Sequence, residues 1–138
     1  MLARMNGDGH RATIRRFFED VVGRGDIDLI DALAVEDYLD HVALPGQAPN
    51  RDGLKWRIGV IRGALSPRHT LHDVLVDDDL VAVRWTLRGE HTGPFIGLAA
   101  TNKPIELDGI ELYRMRDGRM AEHWNVVDLF RFYTQVTK

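Results

Sequence analysis

The sequence predicts one α+β domain in which three N-terminal helices cover the concave face of a curved, mostly antiparallel sheet. Apolar residues recur at helical spacing in three stretches of the first half of the chain, and they alternate with polar residues along most of the second half. Helices followed by a run of strands are typical of α+β domains. Long strands twist and curl, so we expect a cone-shaped half-barrel with a cavity inside.

Length and composition are those of a single globular domain. The chain has 138 residues, of which 44% are hydrophobic, and residues 9–138 are expected to form the domain behind a flexible leader, residues 1–8. The formal net charge is −3 and both signs are mixed, so no nucleic-acid partner is expected. Without a bilayer-spanning run or a signal peptide, the expected location is cytoplasmic, with no membrane partner. The lack of cysteine excludes disulfides and thiolate chemistry.

The first half of the chain predicts the three helices in order. The first covers residues 8–23, where glycines stop it, and the second covers residues 28–34. A short extended segment, residues 38–42, comes next. The third helix begins at a cap, either Asn50 or Asp52, and ends before a Ser-Pro pair.

The second half predicts two hairpins joined by a long loop. Residues 68–76 and 80–92 alternate apolar with polar side chains on either side of an aspartate turn. Residues 92–104 form a loop, and a loop of this length in a compact domain is often functional. Residues 109–128 form the second hairpin. The last segment, residues 129–138, is expected to pack over the open mouth of the cavity or against a second subunit.

The second hairpin brings polar side chains into an apolar sheet, and its turn at Asp117 leaves two registers open. With a three-residue loop, Glu111 lies opposite His123, and Asn125 shares their face. With a two-residue loop, Glu111 lies opposite Trp124 and the polar residues separate onto two faces. We predict the three-residue loop, because it gathers a carboxylate, an imidazole and an amide in one place.

These three side chains predict acid/base chemistry next to a carbonyl group. Desolvation raises the pKa of a carboxylate in an apolar pocket, which makes Glu111 a candidate base near neutral pH. His123 would shuttle the proton or stabilise an enolate oxygen, and Asn125 would donate a hydrogen bond to that oxygen. The alternative is that Glu111 and His123 form a structural hydrogen-bonded pair and Asn125 orients a ligand.

Aromatic and histidine side chains from several elements are expected to line the cavity around this hairpin. Their apolar surfaces would bind a hydrophobic small-molecule substrate, although histidines in such positions are more often structural. The predicted substrate-binding residues are Tyr38, His41, Trp56, Trp85, His91, Phe95 and Trp124. His10, His69 and His72 are not included.

No metal ion is expected in this protein. No two histidines stand at a spacing typical of metal ligands on a helix or a strand. The aspartates of residues 77–79 lack the further spaced oxygens of a calcium-binding loop, so they are interpreted as a solvated turn.

Several motifs in the second half carry a resemblance to a known family. They are Gly89-Glu90-His91-Thr92-Gly93-Pro94-Phe95-Ile96-Gly97, Ala100-Thr101-Asn102-Lys103, Asp117-Gly118-Arg119-Met120-Ala121-Glu122-His123-Trp124, and Asp128. This pattern resembles the SnoaL-like polyketide cyclase or ester cyclase family of the nuclear-transport-factor-like superfamily. The resemblance implies a cone-shaped α+β barrel, commonly dimeric, with a deep apolar pocket and no metal or organic cofactor. Members of the family close polyketide rings by intramolecular aldol condensation, and relatives include isomerases, dehydratases, epoxide hydrolases and binding domains.

The resemblance also implies which residues stand at the catalytic positions. The family's acid/base aspartate falls on Asn125, a histidine of the preceding strand falls on Glu111, and a second aspartate falls on Asp128. An amide takes up no proton at neutral pH, so the family's aldol chemistry would need a different base. The candidate catalytic residues are Glu111, His123, Asp128 and Asn125.

Two functions of different classes follow from these expectations. One is a cofactor-independent acid/base enzyme that cyclises, isomerises or dehydrates a hydrophobic carbonyl compound. The other is a non-catalytic small-molecule-binding domain of the same fold. A homodimer is expected in either case. The convex side of the sheet offers a dimer face formed by Arg84, Thr86, Arg88 and Ile110 or Leu112.

Overall fold

A computed structural model describes the backbone of residues 2–138 and the side chains of residues 7–138. Four α-helices pack with one five-stranded sheet. The helices are α1 (Leu2–Arg16), α2 (Ile30–Leu33), α3 (Arg51–Leu65) and α4 (Leu129–Val136). A π-helical stretch (Phe17–Gly23) continues α1, and a 3-10 turn (Ile27–Leu29) precedes α2. The strands are β1 (Ala34–Asp40), β2 (Arg68–Asp77), β3 (Leu80–Glu90), β4 (Pro104–Arg116) and β5 (Arg119–Val127).

The strands form an open, curved sheet in the order β1-β5-β4-β3-β2. β1 is parallel to β5, and every other neighbouring pair is antiparallel. The predicted α+β class is therefore confirmed. The concave face meets α3 and the π-helical stretch, whose buried side chains and those of the sheet form one apolar core.

The helix boundaries differ in detail from the predicted ones. α1 begins at Leu2, so residues 2–8 of the expected leader are helical, and Met1 lies outside the described residues. The flexibility of the leader stays a prediction. Asn50 is the cap of α3, because its side chain accepts a hydrogen bond from the backbone N–H of Gly53 at 2.9 Å. The C-terminal segment contributes a fourth helix, α4, which the sequence interpretation did not assign.

The turn of the β4–β5 hairpin differs from the predicted three-residue loop. Arg116 pairs with Arg119, which leaves a two-residue turn. Both turn residues have positive φ, +53° at Asp117 and +72° at Gly118. This left-handed pair gives a turn whose twist matches that of the flanking strands. The predicted loop was therefore wrong.

A β-bulge restores the predicted face in spite of the different turn. The register shifts between Arg114 and Met115, and Ala121 is the extra residue on β5. Each one-residue shift moves side chains to the opposite face of the sheet. The bulge cancels the shift that a two-residue loop alone would give, so Glu111 shares a face with His123, as predicted. The predicted cross-strand pair was wrong, because Glu111 lies opposite Asn125 and not opposite His123.

α4 packs against the loop between β3 and β4. His91 at its start is fully buried, and its ring packs edge-on against the ring of Phe132 in α4, 5.1 Å between centroids. Phe95 contacts the same phenyl ring at 5.3 Å. α4 thus packs against this loop, whereas the expected packing of the C-terminal segment over the open mouth or against a second subunit stays a prediction. Within the described residues, no helix combines the length and apolar character needed to cross a bilayer.

Candidate active site

A cavity of about 490 Å³ lies between the concave face of the sheet and the helices. This volume falls within the range of sites that bind small molecules. Most of its wall is apolar, and a small group of polar side chains projects into it. The apolar wall includes Phe17, Phe18, Leu54, Ile58, Leu65, Leu87 and Leu107, and the polar group is Tyr38, Arg57, His69, Trp85, Glu111, Tyr113, His123 and Asn125.

The centre of the polar group is a hydrogen-bonded chain of three side chains on neighbouring strands. His123 of β5 lies between two carboxylates, with Nδ1 3.0 Å from Oδ1 of Asp40 and Nε2 2.9 Å from Oε2 of Glu111. All three residues are buried. Parallel pairing of β1 with β5 places Asp40 directly beside His123. The predicted pairing of a carboxylate with an imidazole is thus present, and it has a second carboxylate behind it.

Both carboxylate oxygens of Asp40 have several polar partners. Oδ1 also accepts the backbone N–H of Val42 at 2.9 Å, and Oδ2 accepts the amide of Gln47 at 2.8 Å and lies 3.6 Å from the guanidinium of Arg57. Burial alone would raise the pKa of Asp40, but the hydrogen bond and charge of His123, with the other donors, lower it to about 2. Asp40 is therefore a carboxylate at neutral pH, and it orients the imidazole.

His123 is an imidazolium at neutral pH. Burial alone would lower its pKa, but the charges and hydrogen bonds of Glu111 and Asp40 outweigh burial and raise the pKa to about 9. Both ring nitrogens then carry a proton, and each donates to a carboxylate. No ring N–H is left for an enolate oxygen. The expected oxyanion role of His123 is therefore not available in this arrangement, whereas proton exchange with Glu111 is.

The buried charges of this site balance one another. Arg57 and His123 are positive, and Asp40 and Glu111 are negative, so the four groups together carry no net charge. A proton that moves from Nε2 of His123 to Oε2 of Glu111 leaves that sum unchanged. Removing one of the four would leave a buried charge without its partner, which strongly destabilises a protein.

The structure brings together only some of the predicted site residues. Within the cavity wall are Tyr38, Trp85, Phe95, Glu111, His123 and Asn125. The remaining predicted residues lie elsewhere. Asp128 caps α4, where its Oδ1 accepts the backbone N–H of Arg131 at 3.0 Å. His91 is buried under α4, with Nδ1 3.1 Å from the hydroxyl of Thr101.

The other three predicted wall residues lie outside the cavity. His41 stacks on Trp124, with 4.5 Å between ring centroids, and its Nε2 lies 3.0 Å from Glu122. Trp56 is 45% exposed on the outer side of α3. Helical spacing explains this position, because Leu54 and Ile58 face the core and the residue midway between them faces away from it.

Four polar residues of the site were not predicted: Asp40, Arg57, His69 and Tyr113. Three of them had a signal in the sequence, and for Tyr113 it was the period of two that places it on the strand face of Glu111. Asp40 shares a strand face with Tyr38 by the period of two, and Arg57 lies on the apolar stripe of α3 that includes Leu54. His69 had only the alternation of β2 to indicate its face, and that pattern does not show what the face meets.

Two histidines of the cavity wall, His123 and His69, give the protein an expected maximum of stability near pH 6.5. Because the pKa of His123 is raised, its contribution to the unfolding free energy is complete below pH 6.5 and is lost as the pH rises through about 9. Burial lowers the pKa of His69 to about 4, against the charge of Glu111, so stability is also lost as the pH falls from 6.5 through 4.

Urea denaturation across this pH range measures the effect. A shift of the size seen for His123 corresponds to about 3 kcal/mol of unfolding free energy, lost on the alkaline side. His69→Phe is expected to remove the loss of unfolding free energy below pH 6.5 and to leave the loss above pH 6.5 unchanged. An unfolding free energy that still rises between pH 6.5 and 9 would contradict the charge state assigned to His123.

The chain matches one protein family and many solved structures of similar fold. A family model described as SnoaL-like polyketide cyclase matches residues 12–136. No curated protein sequence matches the chain. IdmH from Streptomyces antibioticus, provisionally named a polyketide cyclase, is 28% identical, with a TM-score of 0.79 over 94% of this chain and 99% of that protein.

Two further solved structures share the fold at lower identity. TsrD from Streptomyces laurentii is 24% identical, with a TM-score of 0.81 over 92% of this chain and 96% of its own. A protein from Jannaschia sp. CCS1, provisionally named a SnoaL-like polyketide cyclase, is 20% identical, with a TM-score of 0.83 over 94% of this chain and 92% of its own.

Proposed function

This chain belongs to the SnoaL-like polyketide cyclase family, and from that premise we propose that it is a cofactor-independent acid/base enzyme acting on a hydrophobic small molecule with a carbonyl group. Aldol-like cyclisation, isomerisation and dehydration all fit, because each begins with removal of a proton next to a carbonyl. The observation that carries the proposal is the position of Glu111, a buried carboxylate in the wall of an apolar cavity, held by His123.

Glu111 is the base in this proposal. Its Oε2 is bound to His123, and Oε1 takes the proton from the carbon next to the ligand carbonyl. The C–H bond breaks, its electron pair forms the C=C bond of an enolate, and the carbonyl oxygen becomes negative. The four buried groups of the protein then carry one net positive charge, which balances the charge of the enolate. In a buried site this balance favours the enolate more than it would in water.

Tyr38 is the proposed donor to the enolate oxygen. Its hydroxyl is buried in the cavity wall and has no hydrogen-bond partner within the described part of the chain. Burial, with the charges of Asp40 and Glu111, raises the pKa of Tyr38 well above its usual value, so the phenol keeps its proton and donates it in a hydrogen bond. Arg57 lies close enough to add its positive charge. Asn125, opposite Glu111 on β5, is a second donor.

A non-catalytic binding domain is the second candidate. It is favoured by Asn125, an amide at the position where the family resemblance places an acid/base aspartate. It is also favoured by the pairing of Glu111 with His123, which satisfies both groups without a ligand. Such a protein would keep the cavity and its hydrogen-bond donors but would not move a proton.

Deuterium exchange into a bicyclic ketone separates the two candidates. In deuterated buffer with 2-tetralone, the enzyme is expected to accelerate exchange at the carbons next to the carbonyl about 100-fold or more over buffer, as positioned general bases do. Proton magnetic resonance follows the loss of signal at those carbons. Binding of 2-tetralone without any acceleration of exchange would favour the binding domain.

A homodimer through the convex face stays a proposal. Ile110 and Val126 are opposite each other in the β4–β5 ladder and are 53% and 77% exposed. Phe130, at the start of α4, is 77% exposed beside them in a shallow groove. Contiguous exposed apolar side chains of this kind support a contact with a second protein surface.

A further inference from the structure

The tip of the loop between β3 and β4 holds a branched apolar residue in an unfavourable backbone conformation. Phe95 and Leu98 exchange both backbone hydrogen bonds, at 3.0 and 2.9 Å, so Ile96 and Gly97 form a two-residue turn between them. The φ angles of the two turn residues are +42° and +82°, in the left-handed region. Glycine adopts this region freely, whereas a β-branched residue there is a backbone outlier. The conformation of Ile96 therefore costs free energy.

The other non-glycine residues with positive φ tolerate that conformation better. Within the described part of the chain they are four polar residues: Ser66, Asp78, Asn102 and Asp117. Short polar side chains can form local hydrogen bonds in the left-handed region, and an isoleucine cannot. Residues held in unfavourable backbone conformations are concentrated at ligand clamps and active sites. The apolar exception, Ile96, therefore needs a reason.

Packing within the chain does not supply that reason. Phe95 anchors the turn, because it is buried and its ring lies 5.3 Å from that of Phe132 in α4. Ile96 itself is 38% exposed. Next to it, a Cβ at Gly97 would meet no atom of the described residues within 4 Å. The fold therefore gains little apolar burial from Ile96 in return for the backbone cost.

Ile96 lies at the mouth of the cavity. It lines the cavity and is exposed to solvent as well, and a residue with both properties borders the opening. Three other large apolar residues share both properties: Val42, Val126 and Leu129, which are 40%, 77% and 38% exposed. With Ile96 they come from three separate segments of the chain. Apolar side chains therefore surround the opening.

Two of the segments at the mouth contain no charge. Residues 42–50 and 92–102, which include Val42 and Ile96, have no charged side chain. An ionic ligand group would find no counter-charge in either segment. An apolar group would instead remove the exposed apolar surface of the mouth from water, which is favourable. The mouth is therefore suited to an apolar part of a ligand.

We propose that Ile96 binds the apolar part of the ligand that lies at the cavity mouth, while the carbonyl end of the ligand lies at the buried Glu111. This contact buries the side chain of Ile96 and offsets the cost of its backbone conformation. The proposal rests on the proposed function only for the position of the carbonyl group. It narrows the substrate class to carbonyl compounds whose apolar part extends from Glu111 to the mouth.

Two methyl ketones of different length test this assignment by calorimetry. The carbonyl end of 2-hexanone and 2-decanone is the same, and the longer chain is expected to reach Ile96. In Ile96→Gly the affinity for 2-decanone is expected to fall about tenfold, the effect of losing about 60 Å² of apolar contact. The affinity for 2-hexanone is expected to change by about twofold or less, because the shorter chain loses no such contact.

Ile96→Gly is also expected to be more stable than the unaltered protein. Glycine relieves the left-handed conformation, so the midpoint of urea denaturation is expected to rise by about 0.5 M. Ile96→Ala separates the contact from the backbone cost. It loses the same contact and keeps a Cβ, so the affinity for 2-decanone should fall as in Ile96→Gly, without the same gain in the urea midpoint.

Asp78→Gly is the matched control at another left-handed turn. Asp78 has a φ of +58° in the turn between β2 and β3, where it is exposed and is not part of the cavity wall. Glycine replaces a left-handed residue there as well. The affinities for 2-hexanone and 2-decanone should both stay within about twofold of those of the unaltered protein, because no ligand contact is removed.

Four results would overturn the role of Ile96. The unaltered protein fails to bind 2-decanone, Ile96→Gly binds it as tightly as the unaltered protein, the affinity for 2-hexanone falls equally, or the urea midpoint of Ile96→Gly does not exceed that of Ile96→Ala. The acid/base chemistry is tested separately by deuterium exchange into 2-tetralone. Exchange without an effect at Ile96 would remove only the role of Ile96, and an effect at Ile96 without exchange would remove only the acid/base chemistry.

Discussion

Glu111→Gln is expected to lower the rate of deuterium exchange into 2-tetralone by about 10²- to 10⁴-fold, the usual contribution of a general base. Glutamine has nearly the same shape, and its carbonyl oxygen can still accept the N–H of His123. The loss of a buried charge is expected to lower the stability, as at Asp40, so urea denaturation first establishes that the variant is folded. In the folded variant the cavity and its affinity for the ketone should persist. Calorimetry gives the affinity, and magnetic resonance gives the exchange rate on the same sample.

The matched control for this variant is Glu122→Gln. Glu122 lies on β5 near His123 but is about one-third exposed, and it pairs with His41 and Arg114 outside the cavity. The same chemical change there should leave the exchange rate within about twofold, because surface ion pairs contribute little. Equal rates for Glu111→Gln and the unaltered protein would show that Glu111 does not remove the proton.

Asp40→Asn is expected to destabilise the protein by about 3–5 kcal/mol, the range for breaking a buried ion pair. The side chain of Asp40 has no exposed surface, and its carboxylate faces both His123 and Arg57. With an amide there, two buried cations face a single carboxylate, Glu111. The pKa of His123 should fall as well, since the charge and hydrogen bond of Asp40 help to raise it.

Asp73→Asn makes the same chemical change at an exposed ion pair. Asp73 lies 2.7 Å from Arg84, and both side chains are about half exposed. A loss of about 1 kcal/mol or less is expected there. Urea denaturation of both variants at pH 6.5 gives the comparison. If the two variants lose equal stability, the buried charges at Asp40 are not coupled as the hydrogen bonds indicate.

The position of the strands and helices was largely predictable because it depends on local periodicity. The alternation of β3 and the apolar stripe of α3 each have a single face that can be buried, and the family inferred from the hairpin motifs is confirmed. The hairpin shows the limit of such reasoning. Its predicted loop was wrong, yet Glu111, His123 and Asn125 share a face because the two-residue turn and the bulge at Ala121 together preserve the alternation.

Only some contacts of the candidate site were predictable, namely those between residues that are close in the sequence. Glu111 and His123 are 12 residues apart in one hairpin, so their proximity follows from a local turn. Asp40 is 83 residues from His123, and their contact exists only because β1 adds to the edge of the sheet beside β5. No local pattern states which strand a distant segment will join.

By itself, the sequence determined the buried face of most strands and helices, because the spacing of their apolar residues leaves one face to be buried, and the polar exceptions on those faces mark a site. Only the tertiary structure decided which of those exceptions meet, and therefore their charge. His123 is an imidazolium because two carboxylates from different strands flank it, and His69 is neutral because it is buried without one. The physical reason is that burial and neighbouring charge set protonation, and both are properties of the assembled fold.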